Sequence, residues 1–262
     1  MSWQNTIGRV SFINCEPLFH GLNKSWNVLP APPAWLTGHL LRRDCILAPI
    51  PAADYARNHA ELFLLPEIAI SSKGEVGSVL LFSELNISDI KTVALPSDSA
   101  TSVQLLKYLL TKKNIEPKYT EMGPDLQTML ASNDACLLIG DRALDAAREY
   151  PDYVILDLGK EWLRVTGKPM VFGVFAARRD SDMNIVKTAH SALKTQLEKF
   201  ETDKSHRDEV IKVSSQKSSQ PETRLESYFG EVINRVDPED MCGLELFLKD
   251  ACKMEADPVI AW

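Results

Sequence analysis

The chain has 262 residues, of which 45% are hydrophobic and 25% charged, so it is long enough for one large domain or two smaller ones around a buried core. Its 36 acidic and 29 basic residues give a net charge of −7, without the positive field that nucleic acids or anionic membranes attract. We therefore expect the protein to bind neither nucleic acids nor membranes. Five cysteines without a CxxC pair, and the lack of a basic leader or a run of ~18 apolar residues, predict a cytoplasmic location.

Short apolar runs alternate with helical stretches over the first 95 residues. The pattern predicts helices at about 33–43 and 51–58, and it predicts strands at 7–13, 46–50, 62–66, 77–83 and 91–95. Alternation of strand and helix is typical of a mostly parallel, doubly wound sheet. The predicted fold class is therefore α/β.

A strand, a loop and a helix follow one another over 91–117. Leucines recur at helical spacing after the loop at 96–99, and Ser99 or Thr101 can cap the first turn. Further strands are predicted at 135–140, 153–156 and 170–177, the last of them long enough to run between two lobes. From 181 onward the chain is predicted to be helical, with a loop at 214–220 and helices at about 221–234 and 238–252.

Common metal and nucleophile signatures are missing from the sequence. The five histidines have neither HxxxH nor HExxH spacing, and no GxSxG or phosphate-binding glycine pattern occurs. A Cys15–His20 dyad is conceivable, but a buried thiol is the commoner role for a cysteine that follows a strand. We expect neither a metal nor a cofactor.

The segment RVSFINCEPLF at 9–19 is the most informative stretch. An apolar strand ends at Asn14 and passes into a turn with Pro17, and the carboxyl ends of strands in open α/β sheets line the ligand crevice. The Asn14 amide can donate and accept hydrogen bonds to a hydroxyl or carboxylate. The alternative is that Asn14 only stabilises the turn through its side chain.

Several blocks in the right order resemble the chorismate dehydratases of the futalosine route to menaquinone, over nearly the whole chain. They are RVSFINCEPLF, GSVLLFS, SDSATS, LLIGDRAL at 137–144, DLGKEWLRVTGKPMVFGVFAAR at 157–178, YF at 228–229 and GLELF at 243–247. The resemblance implies a type II periplasmic-binding-protein fold. Each of its two lobes is a mixed, mostly parallel sheet flanked by helices, and the ligand cleft lies between them.

The resemblance also implies a division of the chain and a reaction. The first lobe is expected to comprise 1–93 and 176–262, and the second lobe 94–175. The implied enzyme is a hydro-lyase that dehydrates chorismate to 3-[(1-carboxyvinyl)oxy]benzoate without a cofactor. The alternatives are a small-carboxylate solute-binding protein of the same fold and the sibling 1,4-dihydroxy-6-naphthoate synthase.

Site residues carry over from the resemblance position by position. Asn14 matches the cleft asparagine and is the expected catalytic residue. Two segments depart from the family pattern, where polar residues are more usual. They are SDSATS, at Ala100, and the segment 49–58, at Pro51, Ala52 and Ala53. The expected substrate-binding residues are Ser11, Ser78, Ser83, Ser99, Thr101, Ser102, Gly140 and Asp141.

The chemistry of these residues leaves alternatives open. The exposed amides and dipole of the helix after Ser99 suit a carboxylate of the substrate, although the hydroxyls there can equally be helix caps. Asp141 is either an acid–base group or the N-cap of the helix at Arg142, and Arg9 and Arg142 are expected in surface ion pairs. Since each acidic residue in the blocks has a structural alternative, we hypothesise that the substrate's own enolpyruvyl carboxylate removes the ring proton.

Overall fold

A computed structural model describes residues 2–262, the side chain of Asn23 excepted, as two α/β lobes. The strands are β1 (Thr6–Val10), β2 (Asn27–Ala31), β3 (Leu47–Pro51), β4 (Leu62–Ser72), β5 (Val79–Ser83), β6 (Thr92–Pro96), β7 (Lys118–Met122), β8 (Ala135–Ile139), β9 (Val154–Asp157), β10 (Met170–Arg178) and β11 (Ile233–Arg235). They form one sheet in the order β11-β4-β10-β3-β1-β2 and a second in the order β7-β6-β8-β5-β9.

Helices cover both sheets. They are α1 (Glu16–Phe19), α2 (Pro33–Leu41), α3 (Ala52–Asn58), α4 (Thr101–Lys112), α5 (Leu126–Leu130), α6 (Gly140–Glu149), α7 (Leu158–Thr166), α8 (Met183–Thr202), α9 (Lys204–Ser218), α10 (Glu222–Glu231) and α11 (Pro238–Leu246). Short 3₁₀ turns occur at Trp3–Asn5, Ile13–Cys15, Leu22–Lys24, Ile87–Asp89 and Pro151–Tyr153, and a π turn at Phe247–Ala251. Of the helices described, none is both long and apolar enough to cross a membrane.

Both sheets are mixed, as predicted, but they are not mostly parallel. In the first sheet β1 runs parallel to β2 and β3, whereas β10 pairs antiparallel with β3 and β4. In the second sheet β6 runs parallel to β7 and β8, whereas β5 pairs antiparallel with β8 and β9. The antiparallel strands β5 and β10 are the first strands after each crossing between the lobes.

The crossings lie earlier in the chain than the predicted boundaries at 93/94 and 175/176. Since β5 belongs to the second sheet, the chain leaves the first lobe between Ser72 and Val79. It returns between Asp157 and Met170, because the whole of β10 lies in the first sheet. An apolar strand next to a crossing can pair in either lobe, and its pattern does not tell which.

The carboxyl-terminal part is helical, with two differences from the sequence prediction. The predicted loop at 214–220 is mostly the last turns of α9, which ends at Ser218, where Ser218 Oγ donates to Ser214 O at 2.8 Å. The predicted helix at 221–234 ends at Glu231, and β11 then joins the first sheet beside β4. This edge strand closes the first lobe.

Candidate active site

A cavity of about 570 Å³, open space at its mouth included, lies where the two sheets meet. The parallel strands β1 and β3 of the first lobe, and β6 and β8 of the second, direct their carboxyl ends toward it. The lining residues are Val10, Phe12, Asn14, Pro33, Pro49, Ile50, Pro51, Ile70, Val76, Ser78, Val79, Ser99, Thr101, Ser102, Ile139, Gly140, Phe172, Gly173 and Val232. This is the position in which α/β folds bind ligands.

The wall from the first lobe is apolar apart from one residue. Phe12, Ile50, Ile70 and Phe172 present hydrocarbon surface, and Pro49 and Pro51 bracket the end of β3. Such a surface suits a ring and excludes water from it.

Asn14 is the exception. It lies in the 3₁₀ turn Ile13–Cys15, its exposed fraction is 9%, and it borders the cavity. Its Oδ1 atom is buried and accepts no hydrogen bond from any described residue. The alternative of an Asx turn is therefore wrong, since that turn requires Oδ1 to accept a backbone N–H. A buried amide oxygen without a partner is costly unless a ligand supplies one.

The wall from the second lobe carries hydroxyl groups at the start of α4. Ser99, Thr101 and Ser102 line the cavity. The helix has Ala100 at its N-cap and no side-chain cap, so the prediction that Ser99 or Thr101 caps it is wrong. The first amides of a helix have no partners within the helix, and together with the dipole they form a site for an anion.

Thr101 instead links the lobes. Its Oγ1 accepts a hydrogen bond from the backbone N–H of Ala53 at 3.1 Å, which joins the start of α4 to the start of α3. A second link joins Ala34 N to Asp98 O at 3.3 Å. The lobes are thus in contact around the cavity.

Gly140 and Asp141 form a third link. Gly140 has a φ of +61°, and a Cβ there would lie 2.5 Å from the Phe12 ring, so only glycine allows this approach. The Asp141 carboxylate accepts the backbone N–H of Ile13 at 3.1 Å. Asp141 follows Gly140 inside α6 instead of capping it, so the N-cap alternative is wrong. Burial raises the pKa of Asp141 to about 6.

Ser78 borders the cavity from the first crossing. Its hydroxyl accepts a hydrogen bond from the buried Tyr228 hydroxyl at 3.0 Å and donates to Val76 O at 3.4 Å. Burial raises the pKa of Tyr228 above its ordinary range, so this phenol stays protonated and remains a donor.

Three of the predicted binding residues do not line the cavity, namely Ser11, Ser83 and Asp141. Ser83 is the last residue of β5, at the opposite end of the strand from Val79, which lines the cavity. Its hydroxyl donates to Asp134 O at 2.6 Å and accepts from Leu85 N at 2.9 Å. Ser11 is exposed, and the Asp141 carboxylate accepts the Ile13 N–H; neither residue borders the cavity. Placing these three residues on the cavity surface is a wrong prediction, because they were chosen by sequence block alone.

Ionisable side chains are kept away from the cavity surface, as far as the described residues go. Glu16 is buried and pairs with Arg9 and Lys217, each at 2.5 Å. Burial would raise the pKa of Glu16, but the charge of Arg9 and the hydrogen bond from Lys217 outweigh it and hold that pKa below its ordinary value. Arg142 pairs with Asp98 at 2.5 Å, as expected of an ion-pair role.

The sequence analysis did not predict the apolar wall of the cavity. Phe12 stands inside the RVSFINCEPLF block, and Phe172 inside the block before the return strand. The prediction of a strand at Phe172 is confirmed, since this residue lies in β10, whereas Phe12 lies beyond the end of β1 at Val10. Both rings line the cavity. The usable signal was an aromatic residue within two positions of Asn14.

Residues 5–253 match a protein family described as menaquinone biosynthesis. The chain is 33% identical to the chorismate dehydratase of Thermus thermophilus over 191 residues. This alignment covers 67% of this chain and 70% of the Thermus protein.

Solved structures share the fold at low identity. A protein from Archaeoglobus fulgidus superposes with a TM-score of 0.74 at 19% identity over 95% of each chain. A Candida albicans gene product described as having the generic periplasmic binding protein fold superposes with a TM-score of 0.69 at 14% identity, over 96% of this chain and 91% of that one. These likenesses confirm the predicted fold.

Proposed function

The chain belongs to the menaquinone biosynthesis family, with the Thermus chorismate dehydratase among its relatives, and from that membership we propose that it dehydrates chorismate to 3-[(1-carboxyvinyl)oxy]benzoate. The reaction, a step of the futalosine route to menaquinone, removes the C3 proton and the C4 hydroxyl of the ring as water. Aromatisation supplies the driving force. The protein then has to orient a dicarboxylate, exclude water and stabilise the departing hydroxide.

The two walls of the cavity fit the two halves of such a substrate. The hydroxyls of Ser99, Thr101 and Ser102, with the uncapped amides of α4, suit a carboxylate. The apolar surface of Phe12 and Phe172 suits the ring.

One observation carries the proposal, namely the buried Asn14 amide whose Oδ1 atom has no partner in the described structure. We assign Asn14 to the C4 hydroxyl group of the substrate. In the bound substrate Asn14 Oδ1 accepts a hydrogen bond from this hydroxyl, and Nδ2–H donates a hydrogen bond to the hydroxyl oxygen as it leaves. A hydrogen bond that strengthens as negative charge develops contributes mainly in the transition state.

The proton acceptor in this proposal is the substrate. No ionisable side chain is found among the described residues on the cavity surface, whereas the enolpyruvyl carboxylate is attached through the ether oxygen at C3. It can reach the C3 proton in a six-membered arrangement at high effective molarity. The C3–H electrons form the new C3–C4 ring double bond, and the enolpyruvyl carboxylate takes the proton. The hydroxide that leaves C4 then takes this proton from the carboxylic acid, which gives water and restores the carboxylate.

Asp141 is the protein carboxylate that could compete for this role. Its Oδ1 atom is held by Ile13 N at 3.1 Å, and Asp141 is not among the lining residues. We assign it to positioning the turn that carries Asn14. The Asp141→Asn protein keeps the acceptor oxygen and should retain turnover, whereas loss of turnover in that folded variant would make Asp141 the base.

Purified protein mixed with chorismate tests the proposal through the appearance of the aromatic product, followed by absorbance and chromatography. Dehydration is expected with the native protein and with Asn234→Ala, a buried asparagine outside the cavity. Tight binding of chorismate that is returned unchanged would favour the solute-binding alternative and contradict an enzyme. Conversion to 1,4-dihydroxy-6-naphthoate from its own precursor, without action on chorismate, would favour the sibling activity.

A further inference from the structure

Two histidines and a glutamate from distant parts of the sequence meet on the first lobe. One ligand atom from each of His20, His206 and Glu209 lies within 4.8 Å of the other two. The His20 Nε2 and Glu209 Oε1 atoms are 3.5 Å apart, and the two imidazole rings stack edge to face with their centroids 5.3 Å apart. The spacing rules that argued against a metal do not cover donors brought together by the fold.

Local structure holds these donors in place. His206 and Glu209 are three residues apart on α9, which puts their side chains on one face of the helix. Asp203 accepts the backbone N–H of His206 at 3.2 Å and so fixes the first turn of that helix. His20 is the C-cap residue of α1, and α1 directly follows the turn that carries Asn14.

The His206 Nε2 atom supplies an independent observation. It is buried and has no hydrogen-bond partner among the described residues. Buried ring nitrogens normally have a hydrogen-bond partner. A buried nitrogen that lacks one, beside another imidazole and a carboxylate, is therefore free to ligate a metal ion.

The donor set selects the kind of ion. Two imidazoles and one carboxylate are the protein ligands of many zinc sites that keep one open position, whereas calcium and magnesium prefer oxygen ligands alone. Zinc–nitrogen bonds of ~2.0–2.1 Å at tetrahedral angles bring ligand atoms to within ~3.3 Å of one another. The His20–Glu209 distance of 3.5 Å is close to this value, and side-chain rotations would bring the three ligand atoms, now within 4.8 Å of one another, to it.

We propose that His20, His206 and Glu209 bind one zinc ion, which ties the end of α1 to α9. None of the three residues lines the cavity, so the ion would not touch the proposed substrate. Its consequence is structural: the bound ion stabilises the helix pair behind the Asn14 turn, where the Glu16–Lys217 ion pair already joins α1 to α9.

Titration of tag-free, EDTA-treated protein with zinc chloride tests the site, followed by calorimetry and thermal melting. We expect one zinc per chain and a rise in Tm of about 5 °C at a zinc concentration a hundredfold above Kd. Magnesium chloride should leave Tm unchanged. No zinc binding, or an equal rise with magnesium, would overturn the proposal.

Variants locate the ion. The His20→Ala and His206→Ala proteins should bind zinc at least ~100-fold more weakly, and Glu209→Gln about tenfold more weakly. The Glu209 side chain is 63% exposed, so that variant keeps its fold. His39→Ala is the matched control, because His39 pairs with Asp44 at 2.8 Å without a second histidine. Native-like zinc affinity in the three site variants, or its loss in His39→Ala, would contradict the assignment.

Discussion

The two lobes bring different chemistry to one cavity. The first lobe contributes aromatic rings, prolines and aliphatic side chains, among them residues at the ends of β1 and β3 and within β4 and β10. The second lobe contributes hydroxyls and uncapped amides from the start of α4. Asn14 is the one polar side chain of the first wall. Under the proposed function we expect the second lobe to bind the charge of the substrate, and the first lobe to hold the ring and act on it.

The largest effect is expected from Asn14→Ala, which removes the polar group from the first wall. We expect kcat to fall ~10²-fold or more with a smaller change in KM, because the lost contact acts on the departing hydroxyl in the transition state. Steady-state kinetics on chorismate measure both constants. Wild-type kcat in a variant with native circular dichroism would assign the first wall to shape alone.

Gly140→Ala should disturb the contact between the walls. The new Cβ would lie 2.5 Å from the Phe12 ring at a backbone φ of +61°. We expect a roughly 30-fold lower kcat/KM, corresponding to about 2 kcal/mol of strain and displaced packing.

Gly123→Ala is the matched control for this change, because a Cβ at Gly123 meets nothing within 4 Å. It should keep the native kcat/KM. Equal kinetics in the two glycine variants would mean that the approach of Phe12 to Gly140 does not matter for the reaction.

A pair of serines separates the second wall from the rest of its lobe. Ser102→Ala should raise KM roughly tenfold, since a hydrogen bond to a carboxylate is worth about 1.5 kcal/mol, whereas Ser83→Ala should leave KM unchanged. Ser102 borders the cavity and Ser83 bonds to Asp134 O at the other end of β5. The same KM in both variants would contradict the assignment of charge binding to the start of α4.

The smallest effect concerns the pH dependence of stability. Burial raises the pKa of Asp141 to about 6, above its value of ~3.9 in an unfolded chain, so the folded state keeps a proton that the unfolded state has lost. Stability should therefore fall as the pH rises from about 4 to about 6 and level off above that. Asp141→Asn should remove this fall and be more stable than the native protein at pH 7 by on the order of 1 kcal/mol.

Urea unfolding at pH 4 and pH 7 measures that difference. The comparison of the two proteins cancels the contributions of other carboxyl groups. Parallel stability curves for the native protein and Asp141→Asn would show that burial of the Asp141 carboxyl group carries no proton-linked free energy.

One strand accounts for much of what the sequence did not predict. Apolar patterning predicted β5, but not its direction or its partner sheet. Because β5 runs antiparallel to β8, Val79 pairs with Ile139 at the cavity, and Ser83 pairs with Ala135 at the opposite end of the two strands. The same fact moves the lobe boundary and removes Ser83 from the site.

The parallel strands were more predictable. Asn14 and Ser99 follow strands whose carboxyl ends lie in the crevice, and both border the cavity as expected. The role of Asp141 could not be predicted from its neighbours. The left-handed conformation of Gly140 directs the following turn toward Ile13, a residue that only the fold brings near.

We propose that the substrate supplies its own base, because the described lining of the cavity has no ionisable side chain. A chorismate analogue whose enolpyruvyl carboxylate is replaced by an uncharged amide tests this most directly. We predict that the analogue binds, inhibits the turnover of chorismate competitively and is not dehydrated, because the amide cannot take the C3 proton. Dehydration of the tightly bound amide at a rate near that of chorismate would contradict it.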